Sequence, residues 1–564
     1  MLAFVLAVGI AMRAVLYFAR PSLLLDEVRL SLNVAARSWS GLLRPLDYDQ
    51  TAPPLFLWAE KLATVVGGVN EYSLRAIPFL ASIAVLPLVY FLAQRVLKER
   101  GAVLATALAS FSPLFLQYTR QVKPYAIDVV VALCLTIWAL DWARTPQDPR
   151  QARRMLPAGI VAVWLSASAL FVLIGIALAF ALAAPTDRPP ARRLLPMVGA
   201  WVLSFLPAYW WVYRPAAANL YMQQFWSGSL VSVWKSGASW RLWHAAREIL
   251  WQTFVGGTTE PPLRPLDDLL VSVGTIAFLL VSAVGLRRLA RQAGPVPCAM
   301  LTAPGLAVVG ASLVGQYPLA ARLVLFAVPA LIIAVASGWD RILDAGRPGR
   351  RMSIAGFAGI CAVAPALPLD ASIVRHPTAY EDVRPAVREF ERRNAPGEPI
   401  YVFAASVPAW AFYTTDWGAP DTSRLARMAR LASSGGPAFE NAAPRGRAIR
   451  IGEGDSLAFP FRRGREIIGL YHGAQDRHAT GLVQQVPDTN WTTNEARRIR
   501  NAATPTVWLL MSHTYGLERS LRGALELCVD RMFQRDGVVL ARFTSAPRSS
   551  ECSQDAALAP RGQR

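Results

Sequence analysis

Ionisable side chains of this chain cluster where long apolar runs end, and their types suit proton and phosphate chemistry. Asp26 and Glu27 follow the first apolar run directly, in 22-SLLLDEVRLSLNVA-35. Asp47, Asp49 and Gln50 precede a Pro-Pro pair in 47-DYDQTAPPLF-56. A tight turn, 117-QYTRQVKPYAID-128, holds Arg120, Lys123, Tyr125 and Asp128, and 315-GQYPLAARLVLF-326 carries Arg322. Charges at membrane depth are costly unless paired or used, so these residues are site candidates. A carboxylate at such a place can take a proton from an attacking hydroxyl or amine. Cations there can hold the charge of a departing phosphate, which needs no general acid. Asp26 suits the first role; Lys123, Arg322 and Arg120 suit the second. Each has a plainer reading. Asp26 and Glu27 also fit the first turn of a helix, where acids are stabilising. Lys123 can anchor a helix end by snorkelling, and Asp47 and Asp49 suit a turn before proline.

The elements that must position these residues are membrane helices. The chain is 54% hydrophobic with 18 Trp, and apolar runs long enough to cross ~30 Å of hydrocarbon recur to about residue 370. The formal charge of +20 does not indicate nucleic acid, because Lys is scarce and Arg clusters in short loops between apolar runs. Spans are expected at 2–19, 75–94, 101–118, 125–143, 194–213, 268–286, 299–316, 320–339 and 352–370. Arg13 falls near the outer end of the first, which lacks the basic start and cleavage site of a signal peptide. The apolar run 155–184 fits one long helix or a hairpin of two. As a hairpin it leaves five loops with 17 Arg or Lys on one side, whereas one helix would move 7 of those to the other. The positive-inside rule therefore selects the hairpin, giving about eleven transmembrane helices with Asp26 and the tail outside.

Two outer segments, 20–74 and 214–267, interrupt this transmembrane domain of residues 1–370. In the first, 53-PPLFLWAEKLATVVGG-68 is apolar but short and charged, so it is expected as an interfacial helix. The second contains 225-FWSGSLVSVWKSGASWRLWH-244, whose aromatic residues suit the membrane–water boundary, as a lid or a passive interfacial helix. From 371 to 564 the composition turns polar and Arg-rich. Apolar runs at 400–405, 506–511 and 538–543 read as strands, and amphipathic stretches at 380–393 and 516–528 as helices, giving a periplasmic α/β domain. The Ala/Gly/Arg/Pro-rich stretch 415–450 reads as a loop. Cys528 and Cys552 in this part can pair if it is periplasmic, while Cys134, Cys298 and Cys361 read as packing residues. Glu381 and Asp382 either reach an outer cleft from the tail or join the domains by a salt bridge.

The order of the DE pair, the Pro-Pro-Leu helix and the KPYA turn resembles the GT-C superfamily, nearest the family-39-like bacterial branch. That branch includes protein O-mannosyltransferases, aminoarabinose transferases and galacturonosyl transferases. The segment 376-HPTAYEDVRPAVREF-390 is similar to the start of the periplasmic part in such proteins. The resemblance implies an inverting glycosyltransferase of the bacterial inner membrane that uses a polyprenyl-phosphate sugar and a lipid, glycan or protein acceptor. It implies Asp26 as catalytic base with Glu27 shaping the acceptor site, and Lys123, Tyr125 and Arg322 at the donor phosphate. One departure concerns the pocket near Asp49 and Gln50, where Thr51 and Ala52 stand in place of the His common before the Pro-Pro. No cofactor is required, and Mg²⁺ or Mn²⁺ is compatible with carboxylates near phosphate, but no ligand spacing demands either. A transporter or flippase is the rival reading. It predicts midplane charge and repeated halves, which are absent from the sequence. A non-catalytic envelope scaffold is a third.

Overall fold

The computed structural model describes residues 1–184, 188–256, 265–344, 381–432 and, with short omissions, 458–544. By contacts the chain divides into two compact units, the first comprising 1–20, 37–45 and 51–377, the second 21–36, 46–50 and 378–564.

The first unit is helical. Its helices are α1 (Leu2–Phe18), then, after α2 (Leu25–Ala36) of the second unit, α3 (Pro54–Gly67), α4 (Glu71–Gln94), α5 (Glu99–Ser110), α6 (Pro113–Thr119), α7 (Tyr125–Arg144), α8 (Pro149–Leu165), α9 (Ala169–Leu182) and α10 (Ala191–Ala208). They continue with α11 (Arg214–Ala217), α12 (Leu220–Trp226), α13 (Ala238–Phe254), α14 (Pro265–Gln292), α15 (Pro295–Leu313) and α16 (Val328–Asp344). Among the described residues, six stretches are long and apolar enough to span a membrane, and α1 and α9 are shorter apolar helices. This is a multi-pass membrane protein.

Several expectations are refined. The run 101–118 is two helices, because Pro113 favours an extended Ser112, whose hydroxyl then caps α6 by accepting from Phe115 N. The run 155–184 divides into α8 and α9 around Ser166 and Ser168, the two-helix alternative. The last described span starts only at a 3-10 turn, Leu325–Ala327, so Arg322 lies on a turn and not inside a helix as expected. The span expected at 352–370 lies outside the described residues.

Close packing holds the bundle. A Cβ on Gly285 of α14 would sit 1.8 Å from Ala334 O, and one on Gly338 of α16 2.1 Å from Val281 O. Only glycine permits that crossing, the usual way helices meet without a hydrophobic driving force. Arg288 and Asp340 pair across the same two helices at 2.9 Å. Arg13, fully buried, donates to Ser110 O at 3.1 Å and Ala109 O at 3.3 Å, tying α1 to the open carbonyls ending α5.

The second unit is α/β. It contains α2, α17 (Val383–Arg393), β1 (Ile400–Val402), α18 (Val407–Thr414), α19 (Thr422–Ala432), β2 (Ala458–Phe461), β3 (Gly464–Ile468), β4 (Gln475–Arg477), β5 (Val483–Gln485), α20 (Thr489–Ala502), β6 (Thr506–Ser512), α21 (Leu517–Leu525), β7 (Cys528–Arg535) and β8 (Val538–Thr544). The main sheet runs β2-β3-β1-β6-β8-β7, with β3, β1 and β6 parallel. The expected strands at β1, β6 and β8 and helices at α17 and α21 are present. The expected loop 415–450 contains α19, and its residues from 433 lie outside the described ones. Cys528 is disulfide-bonded, and Cys552 lies outside the described residues.

Candidate active site

The acidic arm belongs to the second unit. Pro21 through Leu24 run extended into α2, and three side-chain bonds fix them there. Ser22 Oγ donates to Asp382, Arg384 N donates to Ser22 Oγ at 3.1 Å, and Leu23 N donates to the Tyr413 hydroxyl at 2.8 Å. From Glu27 to Val34, α2 is buried on most sides, Val28, Leu30 and Val34 included, and it packs against α18. At its start the acidic pair divides. Glu27 is 1% exposed, and its Oε2 accepts from Leu24 N at 2.9 Å, satisfying an amide that the first turn leaves open. Asp26 is half-buried in the same turn. That partial exposure leaves its carboxylate open to an incoming group, unlike the buried Glu27.

Asn33, further along α2, holds the second acidic turn. Its amide donates to Asp47 O at 3.1 Å, and its Oδ1 accepts from Asp47 N at 2.8 Å. The next two residues, Tyr48 and Asp49, both take left-handed backbone, at φ 61° and 58°. Such conformations are strained away from glycine and recur at functional sites. Gln50 donates to Tyr48 O at 3.0 Å. Tyr48 is buried, which with the neighbouring Asp47 charge raises its phenol well above the ordinary tyrosine value. Asp382 also ion-pairs Arg535 at 3.3 Å, and Glu381 binds His513 Nδ1. Both tail acids are thus engaged around the base of the extended segment.

The cationic arm belongs to the first unit. Arg120 ends α6, and Lys123 sits in the short turn before Pro124, with Lys123 N donating to Gln121 O at 2.7 Å. Pro124 starts α7, so Tyr125 stands at its first position. Arg120, Lys123, Tyr125 and Arg322 are all half-buried. Tyr317 joins two of these elements. Its phenol faces Tyr125 and donates to Leu323 O at 3.1 Å, fixing the turn that bears Arg322. Burial first, then the nearby Asp128 and phenols, raise the Tyr317 hydroxyl above its ordinary range. The Arg322 guanidinium lies over Trp226 at 4.7 Å, and Glu248 Oε1 accepts from Ala321 N at 3.0 Å.

The segment 51–213 matches a family model described as dolichyl-phosphate-mannose-protein mannosyltransferase. The fold is similar to that of ArnT from Cupriavidus metallidurans bound to undecaprenyl phosphate, with a TM-score of 0.51 and 14% identity over 97% of this chain and 99% of that one. The chain shares the fold of ArnT along nearly its whole length, and the family match covers residues 51–213. The apo form of the same ArnT gives a TM-score of 0.48 at 14% identity, over 95% and 97% of the two chains. The archaeal oligosaccharyltransferase AglB from Archaeoglobus fulgidus gives 0.44 at 14% identity, over 73% and 63%. No curated protein matches the sequence.

Within this fold the sequence-derived candidates fall into two sets. Asp26, Glu27, Asp47, Asp49, Gln50, Glu381 and Asp382 share the second unit, and Arg120, Lys123, Tyr125 and Arg322 the first. Sequence reasoning missed the neutral residues that hold them, namely Ser22, Asn33, Trp226 and Tyr317. Their types carry no signal of their own, although Trp226 and Tyr317 lie inside stretches singled out for other reasons. Among the described residues, no group of three or more His, Cys, Asp or Glu side chains is arranged to hold a metal ion.

Proposed function

We propose that this protein transfers a sugar, with inversion, from a polyprenyl-phosphate donor to an envelope glycan, glycolipid or protein at the outer face of the bacterial inner membrane. The observation that carries this reading is the likeness of fold along nearly the whole chain to a protein captured with undecaprenyl phosphate. The chemistry of the two arms supports it. An acceptor oxygen or nitrogen attacks C1 of the donor sugar while its proton passes to the Asp26 carboxylate. The C1–O bond to the phosphate breaks, and the electron pair stays on the lipid phosphate. Lys123 and Arg322 hold that charge, with Arg120 and Tyr125 beside them. Glu27 keeps Asp26 placed by fixing the first turn of α2.

The test is chemical analysis of the envelope in a deletion strain complemented with wild type or Asp26→Asn. The deletion should lack one sugar residue from a glycolipid, glycan or protein, and the wild-type gene should restore it. Asp26→Asn should give normal protein levels in the membrane and transfer reduced about 10²- to 10⁴-fold. Restoration by Asp26→Asn removes the base assignment. An unchanged envelope in the deletion, together with no donor-dependent transfer in wild-type membranes, removes the enzyme reading and leaves a transporter or scaffold.

A further inference from the structure

One polar cluster of the first unit is not used by the chemistry above. Asp128 lies one helical turn beyond Tyr125 on α7, so it sits below the cationic turn and not within it. The Ser166 and Ser168 hydroxyls, at the break between α8 and α9, reach its carboxylate and lie 3.0 Å from each other. Tyr213, in the helical turn Tyr209–Tyr213 that follows α10, and Tyr317, on the segment before Arg322, both lie close enough to that carboxylate to feel its charge. Asp128 Oδ1 and the Tyr213 hydroxyl are both buried, and neither has a hydrogen-bond partner among the described residues. A carboxylate acceptor and a phenol donor that face one another without bonding, deep in a membrane protein, are costly unless something joins them.

A sugar ring is such a thing. Vicinal hydroxyls can donate to one carboxylate and accept from a neighbouring phenol, and the Tyr317 and Tyr125 rings adjoin the phosphate-binding cations. We propose that Asp128 and Tyr213 form the pocket for the sugar of the lipid-linked donor, and that they select a hydroxylated sugar without an acidic group. The selection follows from charge. A uronate carboxylate brought beside Asp128 meets like charge in a poorly solvated place, whereas a hydroxymethyl group at the same carbon does not. This inference rests on the proposed glycosyl transfer.

The experiment measures transfer from two donors, polyprenyl-phosphate galactose and polyprenyl-phosphate galacturonate, which differ only at C6. Purified full-length protein in lipid vesicles is used, with an envelope extract of the deletion strain as acceptor. Wild type should prefer the neutral donor. Asp128→Asn should raise the KM for that donor at least ten-fold and narrow its preference over the uronate. Tyr213→Phe, which keeps the ring, should raise KM in the same direction without restoring the uronate. Thermal unfolding identifies a variant that merely fails to fold, and the other then decides. Unchanged KM and preference in a folded variant overturn the pocket while leaving the transferase reading intact. A wild type that prefers the uronate also overturns it. Absence of transfer from either donor by wild type, where the deletion strain's envelope does lack a sugar, overturns the pocket alone. The same absence with an unchanged envelope overturns both.

Discussion

Asp26 and Glu27 are adjacent and chemically alike, yet the fold treats them differently. Glu27 is buried on Leu24 N, so its removal should be felt in stability. Glu27→Ala should lower stability by at least about 1 kcal/mol, the usual scale for losing an end-of-helix acceptor. Glu27→Gln keeps an oxygen for the same amide and should lose less. Both are checked by thermal unfolding of purified protein, with Asp26→Asn as the control that changes activity and leaves stability near wild type. An Asp26→Asn variant that unfolds as readily as Glu27→Ala would show that both acids are structural. Arg322 offers a second residue-level test. Its guanidinium lies over the Trp226 ring, a contact a lysine makes less well. Arg322→Lys keeps the charge but should lose about 1 kcal/mol of that contact. The expected reading is a donor KM raised roughly five-fold with kcat little changed, and Trp226→Leu should match it. An Arg322→Lys enzyme with wild-type KM would argue that only charge matters there.

At the scale of elements, apolar periodicity and charge asymmetry made the spans legible, and proline chemistry corrected them. The run 101–118 reads as one helix by hydropathy, but Pro113 and the Ser112 cap end α5 and begin α6. Arg322 could not be placed correctly, because the run 320–339 is otherwise almost wholly apolar and hydropathy does not mark that helical structure begins only at Leu325. The contacts that fasten α2 to the C-terminal sheet were also illegible. Ser22 and Asp382 are 360 residues apart, and no local pattern couples them. Ser22→Ala should therefore release the extended segment before α2 and cost about 1–2 kcal/mol in the second unit, because Asp382 and Arg384 N each lose a partner. Faster proteolysis near residues 20–25 would report it. In the helical unit, the α14–α16 crossing predicts an asymmetry of substitutions. Gly285→Ala should disrupt folding, with a Cβ 1.8 Å from a carbonyl oxygen, whereas Gly310→Ala on α15 meets nothing within 4 Å and should be silent. Yield of monodisperse detergent-solubilised protein distinguishes them.

At the scale of the whole molecule, the chain joins a bundle suited to lipid with a sheet unit suited to water, and the second carries a paired carboxylate through which solution pH should act on its stability. Glu398 sits just before β1 at the junction of β6 and β8. Burial disfavours its charge, yet the Arg542 guanidinium, Trp508 Nε1 at 2.8 Å, Ala395 N at 3.1 Å and Thr506 Oγ1 at 2.9 Å all donate to it and hold its carboxyl below the ordinary glutamate value. A carboxyl held low in the folded state stabilises that state fully above its unfolded value, near pH 4.3. The contribution disappears as pH falls through the depressed folded value. The second unit should accordingly unfold at lower temperature as pH falls below about 4.3, while remaining insensitive to this group from pH 6 to 8. Glu398→Gln should reduce stability at neutral pH, leaving Arg542 with less compensation, and should flatten the acid-side loss. Melting of the full-length protein in detergent from pH 3 to 8 gives both curves. Parallel acid limbs in wild type and Glu398→Gln would remove Glu398 as the source.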